Sequence, residues 1–210
     1  DYLKWHDGQA VTADDVFFTF AQIIQSPKFT NPLLKANFDG VDIEKVDAKT
    51  VKFILNKPNS FFITNLTVGL LPRHIFKNVA VEDLQSSSLN EIPVGSGPFF
   101  VKESYRVGLN EEGAIRLEAF DGYYGGQSIL KDFIFHTYPT AEILFKNRKN
   151  LNGMVRITGD EIDLFRTQDD FELVSYKLPQ YNAVFFNMDK PFMTSKVRLA
   201  LQKAVDKSKL

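Results

Sequence analysis

Near the start of the chain, apolar residues recur at helical spacing, with Val16, Phe17, Phe20, Ile23 and Ile24 forming one stripe. Thr12 precedes them as a cap, and Asp14 and Asp15 sit in the first turn, where the helix dipole favours negative charge. Pro27 lies beyond the point where such a helix must stop. Ahead of the cap, Tyr2–Trp5 reads as a short strand running into a turn at His6-Asp7-Gly8. Over residues 40–56 the pattern changes to alternation. Val41, Ile43 and then Val46 lead to a polar turn at Asp47-Ala48-Lys49, and Val51, Phe53 and Leu55 alternate with polar neighbours on the way back. That is a hairpin. Ser60–Val68 predicts a short helix, Leu71–His74 a loop or helical turn, and Gln85–Asn90 a polar loop.

In the second half, strands are predicted at Phe99–Lys102, Ile115–Phe120, Asp132–Tyr138, Phe171–Tyr176 and Tyr181–Asn187. Thr140 caps a helix reaching about Arg148, residues 160–168 form a weaker helix, and Thr194 caps a last one carrying Val197, Leu201, Ala204 and Val205. Strands and helices in irregular alternation indicate an α/β or α+β class.

Composition narrows the functional classes. The 210 residues are 44% hydrophobic and 24% charged, enough apolar content to build a core. A formal net charge of −1 supplies no global field for nucleic acid or an anionic membrane. The absence of cysteine excludes disulfides, thiolate metal sites and a Cys nucleophile. No apolar run is long enough to span a bilayer. Phenylalanine, at 20 residues against a single tryptophan, reads as core packing. The chain opens at Asp1 without a Met and closes inside a predicted helix at Leu210, which reads as an excerpt of a longer protein.

Chemistry-bearing patterns are sparse. His6, His74 and His136 are isolated, with no metal-ligand spacing, so no metal site is expected. Asp14-Asp15, Glu111-Glu112 and Asp169-Asp170 read as helix starts and solvated turns. Gly95-Ser96-Gly97 lacks the Gly-Lys-Ser/Thr continuation of a phosphate loop and leads into a strand rather than a helix. Pro98 also spoils a nucleophile elbow, so these glycines read as permitting a sharp turn or a close backbone approach. The stretch Asp121–Gly126, with Tyr123 and Tyr124, reads as a tight turn with a sugar-stacking loop as the alternative. Arg198 either pairs with Asp206 or an upstream acid, or is solvated. No catalytic constellation emerges.

The order of the motifs is more informative than any one of them. "WHDGQAVTADDVFFTF", "TVKFILNKPNSFFITNL", "LPRHIF", "PVGSGPFFVKES", "LEAFDGYYGGQSILKDFIFHTYPTAEILF" and "YNAVFFNMDKPFMTSKVRLALQKAVDKSKL" follow one another across essentially the whole chain. In that order they resemble the bacterial extracellular solute-binding proteins of family five, the receptors of peptide and nickel ABC importers. One stretch departs from the pattern. Where the family has Gly-Glu/Asp-Ile-Asp starting a strand, this chain has "NGMVRITGDEIDLF".

The resemblance implies an α/β, type II periplasmic-binding-protein-like fold of two lobes, here with a mixed sheet and flanking helices. It further implies an inserted subdomain of the first lobe at 1–91, the main part of that lobe at 92–180, and the crossing strand and first helix of the second lobe at 181–210. The change of lobe falls near Pro179–Pro191. The implied function is capture of an extracytoplasmic solute, a di- or oligopeptide by first choice, by a monomer that closes on it and hands it to a membrane permease. The protein would act in the periplasm or, lipid-anchored, at the outer face of the membrane. No enzyme activity, cofactor or nucleic acid is implied. Ligand-contact candidates are Gly95, Ser96 and Gly97, through close backbone approach, and Tyr181, Ala183 and Phe185, which would share one face of the crossing strand. Asn187 reads as a hydrogen-bonded hinge residue. The alternative is a solute-sensing domain of a regulator built on the same fold, and a hydrolase comes third.

Overall fold

The computed structural model describes residues 3–105, 112–155, 157, 161–166, 171–176 and 183–205. The chain divides into two compact units, Asp1–Met154 and Val155–Leu210.

The first unit opens with a tight loop instead of a strand. The pairing expected of Tyr2–Trp5 reduces to one bridge, Lys4 to Ala10, and Tyr2 lies outside the described residues. Trp5 donates its N–H to Gln9 and accepts from Gly8, which sits at φ 88°, a left-handed conformation that glycine adopts without a Cβ penalty. The indole is 1% exposed and fills the space beneath the loop.

Helix α1 (Ala13–Phe17) begins at the predicted cap. The Thr12 side chain accepts from Asp14 N, and the Asp15 carboxylate reaches back to the Thr12 N–H, completing a capping box. The helix then widens into π winding over Phe18–Ile24, with Gln25 N–H donating to Phe20 C=O. In this stretch three consecutive residues, Phe18, Thr19 and Phe20, are buried, which a simple amphipathic stripe does not anticipate. The helix is covered on two sides. Phe20 and Ile24 join Phe38, Val41 and Phe62 in one cluster, whereas Phe18 and Ile23 join Phe76 in another. Thr19 serves this double burial by donating its hydroxyl to Asp15 C=O and accepting from Leu71 N–H.

The hairpin forms as the alternation requires: β1 (Val41–Lys45) and β2 (Val51–Leu55) pair antiparallel, Val41 opposite Leu55. Ile43, Phe53 and Leu55 pack on the first cluster, so the hairpin lies against the helix. Phe20, Phe38, Phe53 and Phe62 interlock there with ring centroids 5.0–6.0 Å apart. The pattern reading omits α2 (Pro32–Ala36), although Asn31 caps it and Pro32 occupies its first turn, both readable start signals. Short helices α3 (Phe62–Asn65) and α4 (Arg73–Phe76) follow, and 3₁₀ turns at Val81–Ser86 and Ser88–Asn90 take the place of the predicted polar loop.

Next comes a sheet of β3 (Phe99–Tyr105), β4 (Gly113–Ala119) and β5 (Asp132–Thr137) in the order β3-β4-β5. Every strand pairing among the described residues is antiparallel, so the mixed character expected of the sheet does not occur within them. A register shift between Val101 and Glu103 lets β3 run past the predicted end. Helix α5 (Ala141–Asn147) is capped by Thr140, as predicted.

The second unit contains α6 (Glu161–Arg166), which buries Phe165, and α7 (Ser195–Ala204), capped by Thr194. In the departing stretch, Glu161-Ile162-Asp163 therefore opens a helix and starts no strand. The strands predicted at 171–176 and 181–187 are corrected: 171–176 and 183–187 have no ladder partner among the described residues, and Tyr181 and Asn182 lie outside them. Alternating apolar residues become a strand only when a neighbouring strand takes up their N–H and C=O groups. Arg198 holds the turn before its own helix, donating to Met193 C=O at 2.8 Å and to the Ser195 hydroxyl at 3.1 Å, while Asp206 lies outside the described residues.

Candidate functional site

Gly95, Ser96 and Gly97 sit just before β3, and the residue that holds them is His6. Its backbone N–H donates to Gly95 C=O at 2.8 Å, and its Nδ1 accepts from Gly95 N–H at 3.0 Å. A backbone N–H can only donate, so Nδ1 presents its lone pair and Nε2 carries the proton, donating to Gly97 C=O at 3.1 Å. The imidazole also meets Phe120 edge-on at 5.1 Å and Phe100 at 6.0 Å. Phe120 N–H donates to Pro98 C=O, closing the loop onto the end of β4.

This geometry explains the first glycine. A Cβ at Gly95 would stand 3.2 Å from His6 Cε1, so its bareness admits the imidazole. A Cβ at Gly97 would meet nothing within 4 Å. The loop's open side is thus at Ser96 and Gly97. Sequence reading treated His6 as an ordinary isolated histidine. Its only local mark is its place at the head of the His6-Asp7-Gly8 turn, and the partner lies 89 positions away.

Ala183 and Phe185 belong to the second unit, outside any helix or strand; Phe185 is 91% exposed, and Tyr181 lies outside the described residues. Asn187 is hydrogen-bonded, accepting from Asp189 N–H through its side chain. The rings of Tyr123 and Tyr124 lie 4.7 Å apart, tilted by 58°, in a turn where Gly126 adopts φ 96°. An open cleft of about 510 Å³ lies elsewhere, lined by Asn37, Asn56, Asn59, Asn65 and the buried Phe62 among others, and none of the candidate residues lines it.

The remaining histidines take no part in a reactive cluster. His74 Nε2 lies 2.6 Å from Asp7 Oδ2, tying the opening loop to α4, and His136 stacks near Tyr138. Among the described residues no group of three His, Asp or Glu side chains is placed to hold a metal ion. No helix there is long and apolar enough to cross a membrane. Asp7 is pulled two ways: burial raises its pKa, but the His74 hydrogen bond, the Gln9 backbone N–H and the charge of His74 together hold it below 3.8. A carboxylate depressed in this way adds stability that is present above its unfolded value and lost as pH falls through the folded one. The His74→Ala variant is therefore expected to move the Asp7 titration upward and to lose about 0.5–1 kcal/mol at neutral pH. Carbon-detected NMR titration of the Asp7 carboxyl checks this, and an unmoved curve contradicts it.

A profile of the family described as "Bacterial extracellular solute-binding proteins, family 5 Middle" matches residues 1–210. The dipeptide-binding protein of Escherichia coli K12 is 26% identical over 98% of this chain and 41% of its own length. The oligopeptide-binding protein AppA of Bacillus subtilis is 29% identical over 99% of this chain and 38% of its own length. Among solved structures, NikZ from Campylobacter jejuni in complex with Ni(L-His) superposes over 99% of this chain and 41% of its own, with a TM-score of 0.77 and 29% identity. The chain thus spans about two fifths of these relatives. Its described helices and antiparallel sheets are those of an α/β, type II periplasmic binding protein. The chain belongs to family 5 of the bacterial extracellular solute-binding proteins.

Proposed function

We propose that this chain is part of a receptor that captures a peptide outside the cytoplasmic membrane and delivers it to the permease of an ABC importer. The observation that carries the reading is the ordered family match along all 210 residues, together with relatives that are themselves named for dipeptide and oligopeptide binding. Other solutes are also held by similar structures, Ni(L-His) and agropinic acid among them. Binding without catalysis is supported by the use of the histidines: His6 and His74, the residues most suited to act as bases, are committed to hydrogen bonds that hold loops together.

In this reading, residues 1–91 form a subdomain inserted into the first lobe, 92–180 the main part of that lobe, and 181–210 the crossing into the second. The Gly95–Gly97 loop contributes to the solute's surroundings. The receptor works as a monomer that closes by a hinge.

Native mass spectrometry of the full-length protein purified from its host is expected to show a co-purified peptide. Calorimetry with alanine peptides is expected to give saturable binding without hydrolysis of the peptide. Turnover of the peptides, or saturable binding only of nickel–histidine, would sink the reading.

A further inference from the structure

The hydrogen bonds around His6 divide the Gly95–Gly97 loop into a spent half and a free half. Gly95 gives its N–H to His6 Nδ1 and its C=O to the His6 backbone, and Gly97 gives its C=O to His6 Nε2. The Ser96 N–H, the Ser96 hydroxyl and the Gly97 N–H have no partner among the described residues. All three can donate. Space for an incoming group exists at Gly97, where nothing stands within 4 Å of a built Cβ. The ring that fixes the loop is itself held by Phe100 and Phe120, so the free donors sit on a rigid support.

We propose that Ser96 and Gly97 form a subsite for a hydrogen-bond acceptor of the solute, a peptide carbonyl or carboxylate oxygen, and that His6 is its positioning residue. This rests on the reading that the loop faces the solute. His6 touches no ligand. It sets which way the Ser96 and Gly97 N–H groups point by fastening the backbone on either side of them. Without the imidazole the loop samples other conformations, and the ordering cost then falls on the binding step.

Calorimetry of the full-length protein with Ala-Ala, Ala-Ala-Ala and penta-alanine tests both parts. The His6→Gln variant keeps a donor near the Nε2 position but loses the acceptor for Gly95 N–H, and is expected to bind about five-fold more weakly. His6→Ala loses both arms and is expected to bind more than about ten-fold more weakly. Ser96→Ala, which removes one free donor, is expected to lose about three-fold. Ile24→Val, in the cluster of Phe20, Phe38 and Phe62, serves as the comparison: it is expected to lower the thermal midpoint without changing Kd. Hydrogen exchange should show loss of Gly95 amide protection in His6→Gln, a readout that holds even where His6→Ala does not fold.

If Ser96→Ala binds more weakly while His6→Gln binds as the parent does, the positioning role is overturned and the subsite stands. If Ser96→Ala and both His6 variants bind as the parent does, the loop does not face the solute and the whole inference is overturned. If His6→Gln lowers the thermal midpoint as Ile24→Val does and leaves Kd unchanged, His6 is a stability residue only.

Discussion

Replacing Phe38 with alanine is expected to cost about 3–5 kcal/mol, the range for removing a fully buried aromatic ring that leaves a cavity. Phe38 has no solvent exposure, and its ring lies 5.0 Å from Phe20 and 6.0 Å from Phe62. It therefore joins the π-wound helix to α3, and its deletion leaves a void beside both neighbours. Amide exchange in β1 and β2 reports the loss directly, because opening of the hairpin becomes easier by the same free energy. Phe61→Ala is the matched comparison. That ring is 77% exposed, and its removal is expected to change stability by less than about 0.5 kcal/mol. Equal effects from the two substitutions would show that the aromatic cluster is not the centre of this unit.

The second large effect is expected from Asp15. Its side chain is buried at 4% residue exposure, where one carboxylate oxygen accepts from the Thr12 N–H at 2.9 Å and the other from Arg73 N–H at 2.8 Å. The same carboxylate caps the first helix and tethers α4, a contact spanning 58 positions of sequence. The Asp15→Ala variant takes the acceptor from three donors, the Thr12 N–H and hydroxyl and the Arg73 N–H, and is expected to cost about 2–4 kcal/mol, since bonds to a charged group are worth more than neutral ones. Asp15→Asn keeps one oxygen and should lose roughly half as much. Urea denaturation of both variants checks the order. An Asp15→Ala protein as stable as the parent would mean that water satisfies the donors. Asp14, its neighbour, differs in kind: it pairs with Lys45 at 2.7 Å in partly exposed surroundings and behaves as the solvated helix start that the sequence suggests.

The candidate site shows where sequence reading is strong and where it stops. That a glycine here admits a close approach is suggested by a loop leading straight into a strand, and it holds for Gly95 but not for Gly97. Which of them faces the interior depends on His6, because the imidazole occupies the space beside Gly95 alone. No local pattern announces a histidine's partner 89 residues on. Asp15 was equally hidden, since a carboxylate in a helix's first turn looks the same whether it faces water or a buried Arg73 N–H. The excess of phenylalanine also resolved only in three dimensions. Phe18, Phe20, Phe38, Phe62, Phe76 and Phe165 are buried, whereas Phe133 and Phe135 on β5 are 41% and 50% exposed.

What the sequence determined by itself is what short stretches decide: the caps at Thr12, Thr140 and Thr194, the hairpin's alternation, the turn at Gly8, and the ordered motifs that identify the family. These depend on dihedral preferences and hydrogen bonds spanning a few residues, so the letters carry them. Tertiary structure alone decided the π winding of Phe18–Ile24, the failure of 171–176 and 183–187 to form strands, and the joining of His6 to Gly95 and Gly97. Each depends on what packs or pairs from elsewhere. A strand needs a neighbour's edge, a helix winds to suit the surfaces that cover it, and a histidine bonds whatever the closed chain brings beside it.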